Sequence, residues 1–471
     1  MISLNPQEET GLLRLLTGTE LPMQQETKNR ILFEETPVPR AVATMAIPTV
    51  IAQLIVLIYN VADTFFVGRA NNPYMVAAAS LLLPIYNISI AVSSIAGTGG
   101  GTLISRLLGK HEPDSAASVA SFSMLFSLLG AAFFSVVMFC FMRPLLFLLG
   151  ASSETFEYAR QYAMCVIVVG AVPTILTMTM ANLLRSVGAA RQAGFGASMG
   201  GVLNIFLDPL FMFVILPRGH EILGAGIATA LSNIIACIYF LVIIRKLNNP
   251  ILQFTKRTGL PEKAHILSFF AVGLPAALGP FLFDLDYIVL DRLMSGYSDV
   301  ALAAIGIVLK AERLPLNIGI GLCLGMVPLA AYNYTSGNHK RMKEVLLFTR
   351  RTGTVIGIVS IILYEIFAPA LLRFFIQDPA TVALGSQFLR IRALATIMMF
   401  LSFIYVHYFQ AMGKANVALF LIVLRWAVIN IPMLFLLNTV WGMYGIVWSQ
   451  FISDTIVAIL TYLTYRRFAT E

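Results

Sequence analysis

Long apolar runs separated by short polar ones fill most of this chain. They occur at roughly 44–66, 75–98, 117–141, 158–183, 192–216 and 222–244. A second set follows at roughly 265–290, 300–330, 345–370, 384–409, 415–437 and 441–464. Each run meets the roughly 20 residues that a helix needs to cross about 30 Å of hydrocarbon. None shows the period-two alternation of a barrel strand, and only helices and closed barrels satisfy their backbone groups in lipid. The pattern predicts an all-α polytopic membrane protein with twelve transmembrane helices and both termini on one side.

The runs repeat. Pro48 opens the first and Pro275 the seventh, and an acid follows each about fifteen residues on, Asp63 and Asp291. Gly188 after the fourth run matches Gly413 after the tenth, and Arg245 and Lys246 match Arg466 and Arg467. Six spans per half is an even number, so the halves share orientation. A pseudo-two-fold axis along the membrane normal should relate them, with a cavity between. The expected division is a tail at 1–40, an N-terminal six-helix half at 41–245, a cytoplasmic linker at 246–264 and a C-terminal half at 265–467. The tail is polar apart from a short apolar stretch at 11–16. It shows no cleavable signal peptide.

Charge orients the frame. With the N-terminus inside, the inner loops and tails gather basic residues such as Lys28, Arg106, Lys110, Lys256, Arg257, Lys340 and Arg341. The outer ends hold far fewer, among them Arg69, Arg143 and Arg292. This is the positive-inside pattern, and it places both termini in the cytoplasm of a bacterial-type plasma membrane. It also gives the net charge of +8 a bland explanation, so no nucleic-acid partner is implied. Only 12% of residues are charged and mean hydropathy is +0.82, against about 25% charged in soluble domains. Cys140, Cys165, Cys237 and Cys323 all lie in apolar runs without metal-ligand spacing.

Asn204 and Asp208 stand out within the fifth run. They lie four apart, on one helix face, and Pro209 follows. An intramembrane carboxylate with no basic neighbour in sequence marks a functional site. Counting from the predicted span ends puts Asp63, Asp208 and Thr229 at one level, roughly 9–14 Å below the outer surface. Asn60 shares the face of Asp63, and Tyr59 is one step round. Hard oxygen ligands of this kind suit Na⁺, and two close carboxylates also suit a shared proton. The C-terminal half mixes signs: Asp284, Asp286 and Asp291 on span seven, Lys310, Glu312 and Arg313 on span eight, Arg425 on span eleven and Asp454 on span twelve. Mutual pairing is the expected state. Alternatively, Asp284 or Asp286 lines the cavity. Tyr59, Met178 and Phe281 are candidates for its wall, alongside Asn60. Gly97 to Gly101 lacks the context of a phosphate loop and reads as close helix packing, as does Gly196 with Gly200. His407 reads as a packing residue.

Several of these positions together resemble the multidrug and toxic compound extrusion (MATE) family: Pro48, Asn60, Asp63 and Gly68 in span one; Ser105, Arg106 and Gly109 after span two; Leu184, Arg185 and Gly188 after span four; Asn204, Asp208 and Pro209 in span five; Gly224, Gly226 and Thr229 in span six. The resemblance covers about residues 40 to 467. It points to the prokaryotic branch with the cation site in the N-terminal half. There it implies coupling through Asp63, Asn204, Asp208 and Thr229, joined by Asn182. The implied function is Na⁺- or H⁺-coupled antiport that exports amphipathic, often cationic small molecules by alternating access. No tightly bound cofactor and no enzymatic activity are implied, and a monomer is expected. The chain departs from the family pattern in its longer tail and in its many C-terminal-half charges. A lipid-linked oligosaccharide flippase, using Lys310, Arg313 and Arg425, is the alternative transporter. A membrane-embedded transferase built on His407 is the alternative from another class.

Overall fold

The computed structural model describes residues 30–70, 72–254 and 259–469. The apolar stretch at 11–16 and the cations Lys28, Lys256 and Arg257 lie outside the described residues. Among those described, every regular element is helical. The first half runs α1 (Val38–Arg69), α2 (Pro73–Gly109), α3 (Pro113–Leu148), α4 (Ser153–Val169 and Ala171–Ser186, bent by 45°), α5 (Ala190–Ile215) and α6 (Glu221–Leu247). The second runs α7 (Lys263–Met294), α8 (Asp299–Thr335), α9 (His339–Phe375) and α10 (Pro379–Ala393 and Thr396–Ala411, bent by 43°). A final helical run, Ala415–Arg467, has 53 residues. At 1.5 Å per residue it would be about 80 Å long, far more than one crossing needs. Gly442 breaks it with φ 57° and ψ −140°, a conformation that side chains other than glycine's hydrogen rarely allow. The run therefore holds two crossings, α11 (415–441) and α12 (443–467). The expected twelve spans are present in an all-α membrane protein.

Several helices outrun their hydropathy windows for a physical reason. The end of α2, Gly100–Gly109, buries Leu103, Ile104 and Leu107 while carrying Arg106. Its amphipathic face lowers the window average below that of a span, yet it continues the helix.

Missing side chains fix how the first half packs. A Cβ on Gly194 would lie 2.5 Å from the Pro48 carbonyl oxygen, and one on Gly201 would lie 3.0 Å from Ile55 and Tyr59. Positions 194, 201 and 208 are seven apart, one stripe along α5. Parallel α1 and α5 thus approach in a register that sets residues 62–63 beside Asp208. On the other flank of α5, Gly196 meets Phe240 and Gly200 meets Ala236 on antiparallel α6. That register brings Asn204 toward Thr229.

The two halves meet at one end. Gly325 and Gly321 of α8 press on Ala46 and Val50 of α1, and Gly99 of α2 on Phe269 and Gly273 of α7. Thr335 Oγ1 donates to the Arg106 carbonyl at 2.7 Å. The segment ahead of α1 adds a strap. Phe33 is buried and stacks on Tyr332 at 5.0 Å. Arg341 Nε and Asn333 Nδ2 both donate to the Phe33 carbonyl, at 2.6 and 3.1 Å, and Tyr332 Oη donates to Glu34 at 2.7 Å. Tyr465, near the other terminus, packs on Tyr405 and Tyr408 beside Gly413, whose own neighbour is Arg106. Both described ends therefore lie on the face where the halves touch. Beyond Val50 and Gly321 the same two helix faces turn exposed, at Asn60 and Val61 on α1 and at Leu314, Arg313 and Lys310 on α8. The halves enclose a cleft that opens toward the other face.

The glycine register predicts an ordered pair of effects. Gly194→Ala should lower the thermal midpoint of the detergent-purified protein, at an overpacking cost of about 1–3 kcal/mol. Gly200→Ala, whose new methyl would meet the Ala236 Cβ at an ordinary 3.4 Å, should hold or raise it. Equal shifts for the two variants would contradict the register.

Candidate functional site

In the first half, Asn204 Nδ2 donates to Asp208 Oδ1 at 3.0 Å and to Thr229 Oγ1 at 3.2 Å. Asn204 is 3% exposed and Asp208 fully buried. The facing wall is α1. Tyr59, Asn60, Asp63 and Thr64 line a cavity of about 150 Å³ with Tyr86 of α2, Tyr162 of α4 and Thr229. Asp63 and Asp208 are close enough to feel each other's charge, and Tyr162 lies close to both. The sequence reading missed Tyr86 and Tyr162, because a tyrosine in an apolar run carries no charge to flag it.

Hydrogen bonding here is lopsided. Asp63 Oδ1, Asn204 Oδ1 and Asp208 Oδ2 are buried and have no partner. All three atoms are acceptors. Buried acceptors without donors are rare and costly in proteins. No cationic side chain among the described residues forms an ion pair with either carboxylate. Converging oxygens of this kind fit a monovalent cation or a proton. No group of three or more His, Cys, Asp or Glu gathers elsewhere among the described residues as a metal centre.

Asn182 lies elsewhere. Its Nδ2 donates to the Met178 carbonyl at 3.1 Å and its Oδ1 accepts from Arg185 Nη1 at 2.8 Å, against Gly97 of α2. It ties α4 to α2 and does not join the cluster, because it faces α2 while the cluster lies among α1, α5 and α6. Met178 is in the same seam, its sulfur taking a hydrogen bond from Ser93 at 3.5 Å. Phe281 is 62% exposed. It belongs to an exposed apolar stripe with Leu274, Leu278, Leu285 and Ile288. His407 packs, with Nδ1 against the Phe403 carbonyl at 2.8 Å.

The second half holds a different kind of polar cluster. Arg392 meets Glu312 in a two-pronged ion pair, Nε–Oε1 at 2.7 Å and Nη2–Oε2 at 2.9 Å. Arg425 Nη2 lies 2.9 Å from Asp454 Oδ1, an ion pair by distance whose N–H is not aimed at the oxygen. The Arg425 guanidinium also sits 4.4 Å over the Trp426 ring and 4.5 Å over Phe403. Gln450 donates to Asp454 at 2.7 Å and Asn430 to Asp286 at 2.7 Å. A small cavity of about 30 Å³ lies among Glu312, Arg392, Gln450 and Asp454. Asp286 is fully buried in this cluster, so it does not line the cleft as one sequence reading had it. Two positions separate it from Asp284, which accepts from Asn87 of α2 in the other half. Arg392 went unnoticed in the sequence, although an arginine inside the 384–409 run was a signal equal to the others.

Comparison with known proteins agrees with this two-fold frame. The family model described as MatE matches the chain twice, over residues 48–210 and 275–436. The multidrug export protein MepA of Staphylococcus haemolyticus (strain JCSC1435) is 30% identical over 429 residues, 91% of this chain and 93% of that protein. MepA of Staphylococcus aureus (strain MRSA252) is 30% identical over 433 residues, 92% of this chain and 94% of that one. Among solved structures, an outward-facing multidrug resistance MATE transporter superposes with a TM-score of 0.88 at 21% identity. That match covers 96% of this chain and 98% of the other.

The two clusters should answer differently to losing a carboxylate. Glu312→Gln strips the partner from Arg392, a nearly fully buried arginine, and should cost about 3–5 kcal/mol of stability. Asp63→Asn removes a charge that has no cationic partner and should leave stability level or higher. Thermal unfolding of both variants beside wild type makes the comparison, and a destabilised Asp63→Asn would argue for a hidden partner.

Proposed function

Because this chain belongs to the MATE family of multi-pass multidrug efflux transporters and is not an enzyme, we propose that it is a cation-coupled antiporter whose coupling site is the cluster of Asp63, Asn204, Asp208 and Thr229. The observation that carries the reading is the set of three buried acceptor oxygens without donors, one each from Asp63, Asn204 and Asp208. A Na⁺ ion or a proton arriving there supplies what the protein withholds. In the second half Glu312 and Asp454 have arginine partners, while Asp286 Oδ2 and Asp291 Oδ1 are also buried without a donor.

The coupling follows from where the cluster sits. Asp63 is on α1, and α1 packs on both α5 and α8. Neutralising Asp63 and Asp208 removes their mutual repulsion and lets α1 settle closer to α5. That changes the wall of the cleft, because Tyr59 and Asn60 are on the same turns of α1 as Asp63. Positive-inside orientation makes the touching ends cytoplasmic and the cleft outward-open, with both termini inside. In this state the cation enters from outside as substrate leaves. The halves then rock to close the outer end and open the inner one. One chain holds both walls of the cleft, so a monomer suffices. Small amphipathic molecules, cationic ones among them, are the expected cargo, held by an apolar wall with few fixed polar groups.

The lipid-linked oligosaccharide alternative needs a strongly cationic cavity. Arg425 is withdrawn from it, 3% exposed and neutralised by Asp454. Lys310 and Arg313 remain, and a single carboxylate, Asp284, lies near Arg313.

Reconstitution into vesicles with separately imposed Na⁺ and pH gradients tests the coupling. One gradient should drive export of a cationic dye such as ethidium. Asp63→Asn and Asp208→Asn should each reduce that gradient-driven export by about tenfold or more, the scale of losing a charge-assisted contact. Full gradient-driven export by both variants would falsify the assignment of the site.

A further inference from the structure

Two neighbouring arginines end the apolar outer face of α9. That face is a stripe of exposed side chains, Val355, Ile358, Ile362, Ile366 and Phe374 among them. From Val355 to Phe374 it covers about 28 Å of helix, close to the roughly 30 Å of a bilayer's hydrocarbon. Arg351 is exposed and lies one turn before Val355 on the same face, toward the end where the halves touch. It therefore sits at the level of lipid headgroups, not of acyl chains. Arg350 is half-buried on the adjoining flank. Gly353 and Gly357 bring α9 against Ile404 and Ile397 of antiparallel α10. That register sets Arg350 beside Tyr405, whose hydroxyl accepts from Arg350 Nη1 at 3.2 Å. Tyr405 is buried, and Tyr465 of α12 covers it from the other side at 5.1 Å between ring centres. Arg350 is near enough to Tyr465 for its charge to be felt there. So α9 and α12 wall a groove floored by Tyr405 of α10, and no carboxylate closes it. Residues 396–411 of α10 and 455–467 of α12 contain no acid. On α9, Glu344 lies nearly two turns back, close to Arg341, and Glu365 lies four turns on with Arg390. Glu34 of the strap pairs with Arg30, and Asp454 of α12 with Arg425. Among the described residues, neither Arg350 nor Arg351 has an ion-pair partner.

We propose that Arg350 and Arg351 hold the phosphate of an anionic phospholipid whose acyl chains lie along the apolar stripe of α9. A guanidinium offers paired N–H donors that match two phosphate oxygens. Tyr405 is the positioning residue: its hydroxyl fixes where the Arg350 fork points. Basic pockets between transmembrane helices at headgroup level suit lipid phosphates. Charge selects the headgroup. Two guanidiniums without an acid gain from a net negative lipid, whereas a zwitterionic one brings a cation back to them. Geometry selects lipid over free phosphate, because the apolar stripe begins one turn from Arg351. Exposed Tyr462 and Leu463 of α12 continue that apolar surface on the other wall. The site is separate from the coupling cluster and from the cleft, and it stands whichever cation drives export.

Native mass spectrometry of the full-length protein, titrated with phosphatidylglycerol or with phosphatidylcholine of identical chains, reads the preference. Wild type should bind phosphatidylglycerol about tenfold more tightly. Arg350→Gln combined with Arg351→Gln should erase that ratio. Arg351→Gln alone, at an exposed position where folding is not at stake, should lower it about fivefold, the worth of one arginine at the membrane surface. Lys340→Gln combined with Lys343→Gln removes the same charge from exposed positions at the same end of α9 and should leave the ratio within about twofold. Equal losses in the two double variants would mean general attraction to a basic surface and overturn the inference. So would an unchanged ratio in Arg351→Gln, or a wild type without preference. Inorganic phosphate and glycerol 3-phosphate at millimolar concentration should fail to displace phosphatidylglycerol. Displacement by either marks a site for free phosphate and overturns the lipid assignment.

Discussion

A charge or a hydrogen-bonding atom without a partner is harder to tolerate inside a bilayer than anywhere else in a protein. That one constraint sorts the ionisable groups of this chain into three populations. Glu312, Arg392, Arg425 and Asp454 satisfy one another within the second half. Lys310 and Arg313 are exposed, with Asp284 near Arg313. Asp63 and Asp208 of the first half, like Asp286 and Asp291 of the second, each keep a buried oxygen without a donor. The first population is paired, the second is exposed, and the third keeps acceptor oxygens without donors. Buried ion pairs are weak evidence for net stability, because desolvation offsets their attraction. Their pairing is not complete, because Asp286 Oδ2 and Asp291 Oδ1 of the same half are buried without a donor.

The oxygens of the first half converge only because backbones approach closely. Gly194 and Gly201 let α1 slide onto α5, and Gly196 and Gly200 let α6 do the same on the opposite flank. In lipid, such contacts replace the hydrophobic drive that packs soluble helices. A larger residue at 194 would meet backbone, not a movable side chain, so the register of α1 against α5 is fixed at that level. Asp63 then faces Asp208 as a consequence of helix rise, two turns and then two more beyond the glycine contacts.

How much of this was legible follows from what hydropathy encodes. Span number and the repeat are one-dimensional facts, and the helices and the twice-matching family model keep them. Rotation about a helix axis is not one-dimensional in a membrane, where lipid-facing and buried faces are equally apolar. Asp284 and Asp286 show the cost of that blindness. Two residues apart and alike in sequence context, one bridges the halves and the other is sealed within its own. Asn182 shows the same limit, since the sequence does not say that it faces α2. Arg392 was missed for a simpler cause, since its run also carries Arg390 and lies closer to a polar end.

The strap at the touching ends connects these parts. Residues 31–36 lead directly into α1, which belongs to the first half, yet carbonyls of this segment are held by Arg341 and Asn333 of the second. Any motion that parts the halves at this end must break those bonds or pull on α1 along its length. The same helix carries Pro48 against Gly194, where the local hydrogen-bond ladder lacks a donor, and Asp63 in the cluster. One helix thus spans the contact that keeps the halves together, the close approach that sets the register and the carboxylate that awaits a charge. A change in the charge of Asp63 acts on the very element whose other end holds the halves closed. A single continuous helix with one weakened turn joins the two.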